Sequence, residues 1–437
     1  MSDAQPQPDR NTVELWKYVS LDQYVRPKSP AGEAVRKGFL GLWDKLQKGL
    51  TGNDGNDGSV DHPYVDQALL HSVPQQLLDD AAPEPNWNDL TVALDEALEE
   101  RFLNGSPASH VQFVVLPSCS GTDGVLLHWS LIKKWQIITP PDPAEIFHGG
   151  QESLAPLRIS SSENFVIPHL ERWYMRHHDG LTVIRKLIAL LAARAPRCVI
   201  GVNSWSWAYL NKVLNLGTYF QTPLILQALD QQRLTTWLKG LAGRTGRKIF
   251  VFRQTDNGNL VLPLPSSLIQ PDTNESAQQQ MLEDSVSAKT TKFTWHLASY
   301  ARGIPLVAWA IWRYCLRSTQ PAFTADEDDK LAKALRSDDE HTVWLKPWSA
   351  TELPAMPGKT NNIHIFTLHN LLLHGQLEIE WLAHLLPFST ADLLTTLKQL
   401  ASLQLIELEK GMWRVAPLGY PSIRNFLQRE GYLLDSF

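Results

Sequence analysis

Cysteine is scarce in this chain: three residues in 437, Cys119, Cys198 and Cys315, odd in number and far apart. That pattern excludes a disulfide framework and a Cys-rich zinc site, and it fits a reducing compartment. Long apolar runs are missing as well. The most apolar stretch, Ile304 to Leu316, contains Arg313 and is much shorter than the ~20 residues that a spanning helix needs. No membrane span is expected. The start, Met1-Ser2-Asp3-Ala4, lacks the basic-then-apolar order of a secretory signal, so the expected location is the cytoplasm. Nor is there an excess of positive charge: 40 Lys and Arg stand against 46 Asp and Glu, a net charge of −6. A general binder of nucleic acid or anionic lipid is thereby disfavoured. No repeat at solenoid or propeller spacing is present.

What is present is a globular balance, 43% hydrophobic and 20% charged residues, which excludes a disordered or fibrous chain. The length is about three times the ~150 residues of a typical domain, so several domains are expected. Sixteen tryptophans either fill a large core or furnish a partner-binding surface.

Residues 12 to 50 hold two helix-like stretches, the better one from Pro30 to Leu50, where Ala34, Val35, Phe39, Leu40, Leu42, Trp43 and Leu46 recur at helical spacing. The run Thr51-Gly52-Asn53-Asp54-Gly55-Asn56-Asp57-Gly58-Ser59 cannot bury apolar surface and reads as a linker. A helix over 88–102 follows. Then apolar runs alternate with helical patterns: strand 111–116, helix 124–135, strands at 135–138 and 164–167, helix 181–194, and strands at 198–202 and 224–226. Such alternation implies crossover connections and a mostly parallel sheet covered on both faces.

Residues 231–318 read as mainly helical, interrupted by a hairpin in which 248–253 and 260–262 flank an Asn-Gly turn. Gln270–Lys289 and Ala325–Glu340 are polar. The last hundred residues show helical stripes at 365–373, 378–386 and 390–402, a short hairpin at 405–415 and a closing helix at 420–429. Three helices followed by a hairpin make a winged helix. Its third helix carries only Lys398 as a base, too little for phosphate contacts, although Lys410, Arg414, Arg424 and Arg429 could form a small patch beside the wing.

The loop after the first sheet strand is where backbone N–H groups and a helix start would converge on an anion. Here it reads Leu116-Pro117-Ser118-Cys119-Ser120-Gly121-Thr122-Asp123-Gly124. Laid on G-x-x-x-x-G-K-[ST], Pro117 takes the first glycine, Thr122 the second, Asp123 the lysine and Gly124 the Ser/Thr. A carboxylate in place of the lysine opposes phosphate by roughly 1 kcal/mol or more at ~4 Å, and Gly124 has no hydroxyl for magnesium. The third strand ends in Pro168-His169-Leu170-Glu171, the position for an acidic pair that would orient magnesium and water, and the reading is that those acids are absent. The fourth ends Asn203-Ser204, a polar tip facing the same cleft. Arg176-His177-His178-Asp179-Gly180 reads as a helix end and loop rather than a metal cluster.

In order and spacing, residues 88 to 437 resemble the signal-transduction ATPases with numerous domains (STAND), a branch related to the AAA+ ATPases. In that family a nucleotide domain precedes a helical lid with a Gly-x-Pro near its base and then a winged helix; here Gly303-Ile304-Pro305 opens the helix that follows. The resemblance implies a three-layer P-loop NTPase-like α/β parallel sheet with helical lid and C-terminal winged-helix domain. Its divisions would be 1–60 (helical segment and linker), 61–230 (α/β domain), 231–345 (helical lid with the hairpin) and 346–437 (winged helix). It implies a nucleotide cleft at Gly121, Thr122, Asp123, Gly124, Asn203, Gly303 and Pro305, with ATP or ADP as the ligand to consider. Lacking the lysine and the acidic pair, the chain is expected to have no catalytic or metal-binding residues. It would act as a catalytically degenerate regulator or scaffold through a protein partner. The alternatives are a genuine ATP-binding switch and a winged-helix regulator that reads DNA.

Overall fold

The computed structural model describes residues 15–28, 65, 70–104, 110–150, 164–194, 197–244, 248–264, 291–319, 341–435 and 437. The Pro30–Leu50 helix, the linker after it and the two polar regions at 270–289 and 325–340 lie outside the described residues. In chain order the strands are β1 (Tyr18–Ser20), β2 (His71–Ser72), β3 (Val111–Leu116), β4 (Gln136–Ile137), β5 (Phe165–Ile167), β6 (Cys198–Asn203), β7 (Leu224–Leu226), β8 (Phe250–Gln254), β9 (Leu316–Ser318), β10 (His341–Leu345), β11 (Gln376–Leu377), β12 (Ile406–Glu409) and β13 (Met412–Val415).

A six-stranded sheet runs in the order β1-β7-β3-β6-β5-β4, parallel throughout except for β1. The fold is therefore mixed α/β with a mostly parallel central sheet. Every residue of β3 and β6 is buried, as expected for strands covered on both faces. Alternate side chains serve opposite layers. Phe113, Val115, Ile200 and Val202 join one apolar cluster with Val183, Ile184 and Leu187 of the helix Thr182–Arg194. Val114, Leu116 and Val199 join the other with Leu94 and Leu98 of the helix Asn88–Asn104 and with Leu126.

The amino-terminal end departs from the helical expectation. Trp16 and Tyr18 are buried while Lys17 between them is exposed. That is a period of two, and Tyr18 and Ser20 pair antiparallel with Leu226 and Leu224 at the sheet edge. Residues 18–20 are thus a strand, not helix.

A second sheet, β2-β9-β10-β8, joins distant pieces: β8 and β10 pair in parallel, and β9 and β2 follow antiparallel. The region read as helical with a hairpin is more sheet-rich than its pattern suggests. The expected hairpin is short: Arg253 and Leu260 form an antiparallel bridge, flanked by Val261 N to Phe252 O (2.8 Å) and Gln254 N to Asn259 O (2.9 Å), while the other edge of β8 pairs with β10.

Near the carboxyl end come the helix Asn362–His374, β11, the helices Ile379–Leu385 and Thr390–Ser402, and the β12–β13 hairpin, with strand order β11-β13-β12. Ser389 caps the 390–402 helix by accepting from Asp392 N at 3.1 Å. The closing helix is Tyr420–Arg429.

Candidate functional site

Chain order across the main sheet reverses direction beside β3. The connection from β3 goes to the far edge strand β4, the chain returns through β5 and β6, and it then crosses to β7 on the other side of β3. In open parallel sheets ligands bind at the carboxyl ends of strands where such a reversal opens a crevice. The loop 117–122 stands at that point, between β3 and the helix Asp123–Lys133.

Three of the loop's amides, those of Ser118, Ser120 and Thr122, are bonded to oxygens of the protein. Ser118 N donates to Ser204 Oγ (3.3 Å), Ser120 N to Pro117 O (3.1 Å) and Thr122 N to Ser120 Oγ (3.4 Å). Thr122 is fully buried, and its hydroxyl lies 2.7 Å from Ser120 Oγ. Cys119, at φ 59°, donates its thiol to Val415 O in β13 at 3.4 Å. A phosphate cradle needs those N–H groups aimed at an anion; here oxygens of the protein receive them.

Gly121 adopts φ +76°, and a Cβ there would lie 2.8 Å from Trp87 Cζ2 and 3.1 Å from Leu306 Cδ2. The space beside Gly121 is thus filled by an indole and a leucine. Trp87 belongs to an aromatic group with Trp16 and Trp237, with ring centroids 5.7 to 6.4 Å apart. Leu306 follows Pro305, the buried first residue of the helix Pro305–Cys315.

Asp123 begins its helix; the expectation about its carboxylate lies outside the described side chains. Gly124 is exposed, with nothing within 4 Å of an added Cβ. Gly303 belongs to a different contact. At φ +70° it bonds through its carbonyl to Leu229 N at 2.9 Å, and a Cβ on it would meet Ala228 Cβ at 2.6 Å. Of the seven expected residues, Gly121 and Pro305 are brought near each other through Leu306. Gly303 is instead packed on the segment after β7.

Asn203 ends β6 and caps the helix Ser204–Leu214, its Oδ1 accepting from Ser206 N at 2.7 Å. Its other bonds are also to protein: N donates to Glu171 Oε2 (3.1 Å) and Nδ2 to Leu373 O (3.0 Å). Ser206 Oγ donates to the same Leu373 carbonyl and meets Tyr174 OH at 2.9 Å. Burial pushes the Tyr174 phenol well above its ordinary range.

Sequence reading missed Glu171. It sits on a short turn after β5, 6% exposed, and its Oε1 pairs with His169 Nδ1 at 3.0 Å. A carboxylate therefore does stand at the end of β5, with both oxygens already engaged. His374 Nδ1 lies 3.3 Å from the Glu171 carbonyl and His369 Nδ1 lies 3.1 Å from Arg176 Nη1. Burial, with Arg176 nearby, pushes both imidazoles down to about 4. Both are neutral at ordinary pH, and Nε2 of each is buried without a partner.

Asp435 was missed too. Its carboxylate is fully buried between Ser204 Oγ (2.6 Å), Tyr420 OH (3.1 Å) and Arg424 Nε (3.0 Å). Arg424 is therefore not on a surface patch: it is 3% exposed. Arg414 is neutralised by Glu407 and Glu409, each at 2.7 Å. The four-base patch beside the β12–β13 hairpin is reduced accordingly.

In the 176–180 segment, the His177 ring stacks on Phe147 at 4.2 Å and His178 pairs with Asp179 at the surface. Among the described residues no group of three or more His, Cys, Asp or Glu is placed to hold a metal ion, and no helix is long and apolar enough to cross a membrane.

No family model matches this chain, and no curated protein matches it. Among solved structures it is similar to the ORC2 protein of Aeropyrum pernix, solved as ADPNP–ADP complexes, at 13% identity, covering 82% of this chain and 98% of that one with a TM-score of 0.30. It is also similar to a Walker-type ATPase of Pyrococcus abyssi, at 12% identity, covering 81% and 98% with a TM-score of 0.27. Likenesses at these scores say nothing of what this chain binds.

Proposed function

We propose that this chain is a regulatory or scaffold protein of the STAND/AAA+ P-loop ATPase type that has lost nucleotide chemistry and acts through protein partners. The observation that carries the reading is the loop 117–122, which stands at the reversal point of a parallel sheet but donates its amides to Ser204, Pro117 and Ser120. Trp87 and Leu306 against Gly121 support it, as does the absence of a lysine from Ser118 through Leu131. The 362–429 region, read as a winged helix, would then be a packing module: His374 and Leu373 reach Glu171, Asn203 and Ser206 of the sheet domain. The paired state of Arg414 and Arg424 speaks for that role over DNA reading.

Titration calorimetry of the full chain with magnesium and ATP, and separately ADP, tests the proposal beside a hydrolysis assay. The expected result is no binding heat and turnover no faster than that of Asp123→Ala. Micromolar binding, or magnesium-dependent turnover lost on changing Asn203, would defeat it.

A further inference from the structure

The Asp435 carboxylate is fully buried, and a guanidinium and two hydroxyls donate to it. Ser204 Oγ and Tyr420 OH both donate to Oδ2 and Arg424 Nε donates to Oδ1, while Arg424 Nη2 donates to the Asp435 backbone carbonyl at 3.0 Å. A second guanidinium, Arg302, bonds to the same carboxyl-terminal segment. Its Nε donates to Phe437 O, and its Nη2 is buried without a partner. Ser118 Oγ, beside Ser204, is likewise buried and unpartnered.

Two oxygens bracketed by a guanidinium and two hydroxyls form the environment that receives an oxyanion from solution. Here the chain supplies the oxyanion itself, from a segment 231 positions away from Ser204 in sequence. Residues 432–435 form neither helix nor strand; their backbone is held by Tyr432 N donating to Leu427 O and Arg424 Nη2 donating to Asp435 O, each at 3.0 Å.

We propose that Ser204, Tyr420 and Arg424 form an oxyanion-binding site that Asp435 occupies, and that a small carboxylate or a free phosphate takes the same place once Asp435 is removed or withdrawn. The inference rests on the crevice reading proposed above and names its ligand class: an oxyanion with at least two oxygens, held without nucleoside contacts because Trp87 and Leu306 fill the adjoining space. The segment 432–435 is then a plug, and ligand and plug exclude each other.

Asp435→Ala in the full chain tests this by thermal unfolding in chloride, formate and phosphate at matched ionic strength, followed by phosphate calorimetry. Phosphate stabilises many proteins by surface exclusion, so the comparison is between variant and wild type. The variant should melt below wild type in chloride, regain most of that loss in formate or phosphate, and bind phosphate at least about tenfold more tightly than wild type. Formate reports replacement of the missing carboxylate; phosphate reports capture of a free anion. A folded variant with the same shift as wild type in all three salts would overturn the proposal. Should the variant be unfolded in chloride, recovery of the native spectrum in formate supports the proposal and no recovery overturns it. The double variant Arg424→Met/Asp435→Ala should show no anion response; a response there also overturns it. Nucleotide binding by wild type would sink the crevice reading and leave these salt comparisons standing, whereas a silent Asp435→Ala would sink only the oxyanion site.

Discussion

Gly303→Ala separates two accounts of the Gly-x-Pro segment: a glycine kept for a nucleotide, or one kept because the fold leaves no room. Gly303 has φ +70°, and a Cβ there would sit 2.6 Å from Ala228 Cβ, 2.8 Å from Leu229 N and 2.9 Å from Leu229 O. An L-residue in the left-handed region costs about 1–2 kcal/mol. Two of the three close atoms are backbone, so the clash is relieved only by moving the chain, an overpacking cost of about 1–3 kcal/mol. The expected loss is therefore about 2–5 kcal/mol with no ligand present, read as a lower urea midpoint at unchanged m-value. Gly124→Ala is the control: it lies in the first turn of its helix with no neighbour within 4 Å of an added Cβ, and should keep wild-type stability or gain up to about 0.5 kcal/mol. If Gly303→Ala keeps wild-type stability, the packing argument is wrong.

His369 and His374 are held at about 4, below their ordinary 6.5, so the unfolded chain binds protons that the folded one refuses. Their contribution is complete above pH 6.5 and is lost as pH falls toward 4, by about 3 kcal/mol at most for each. Urea midpoints from pH 7.5 to 4.5 should show that slope, and His369→Phe should flatten it. Native thiol titration should find Cys119 reacting first, because Cys198 and Cys315 are buried, with burial pushing Cys315 up to about 12 and Cys198 higher still; simultaneous labelling of all three in folded protein would contradict this. Lys133 contacts Asp95 at 2.8 Å and Glu99 at 2.9 Å on a partly exposed helix pair, so Lys133→Ala should cost under about 1 kcal/mol, and a larger urea shift would show that the pair is not a surface contact.

The central sheet was legible because its strands are apolar runs too short for helices. The loop 117–122 was legible because it joins the first of them to a helix. The second sheet was hidden: Leu316–Ser318 follows the helix Pro305–Cys315 without a break, so an apolar helical pattern simply absorbs it, and its partners lie far along the chain. Glu171 escaped notice because it comes four residues after β5 rather than directly behind it. Nothing local marks Asp435 either, since its partner Ser204 is in a different part of the sequence. Positions such as Gly303 were read as ligand contacts, yet what they touch is a neighbouring backbone.

Closure of the crevice also sets how hard a nucleotide would have to work. A nucleotide that reached the ends of β3 and β6 by displacing the bonds there would break Ser118 N to Ser204 Oγ, Asn203 Nδ2 to Leu373 O and Ser204 Oγ to Asp435. A buried partner left unmet costs about 1–3 kcal/mol, so the three together oppose entry by roughly 3–9 kcal/mol before the ligand restores any of them. At about 1.4 kcal/mol per decade that lowers affinity at least about a hundredfold. A site of about 10 μM intrinsic affinity would then act at about 1 mM or weaker. Only a partner that withdraws the carboxyl-terminal segments at the same time could restore it, because the same bonds tie the loop and sheet to helix 362–374 and to Asp435.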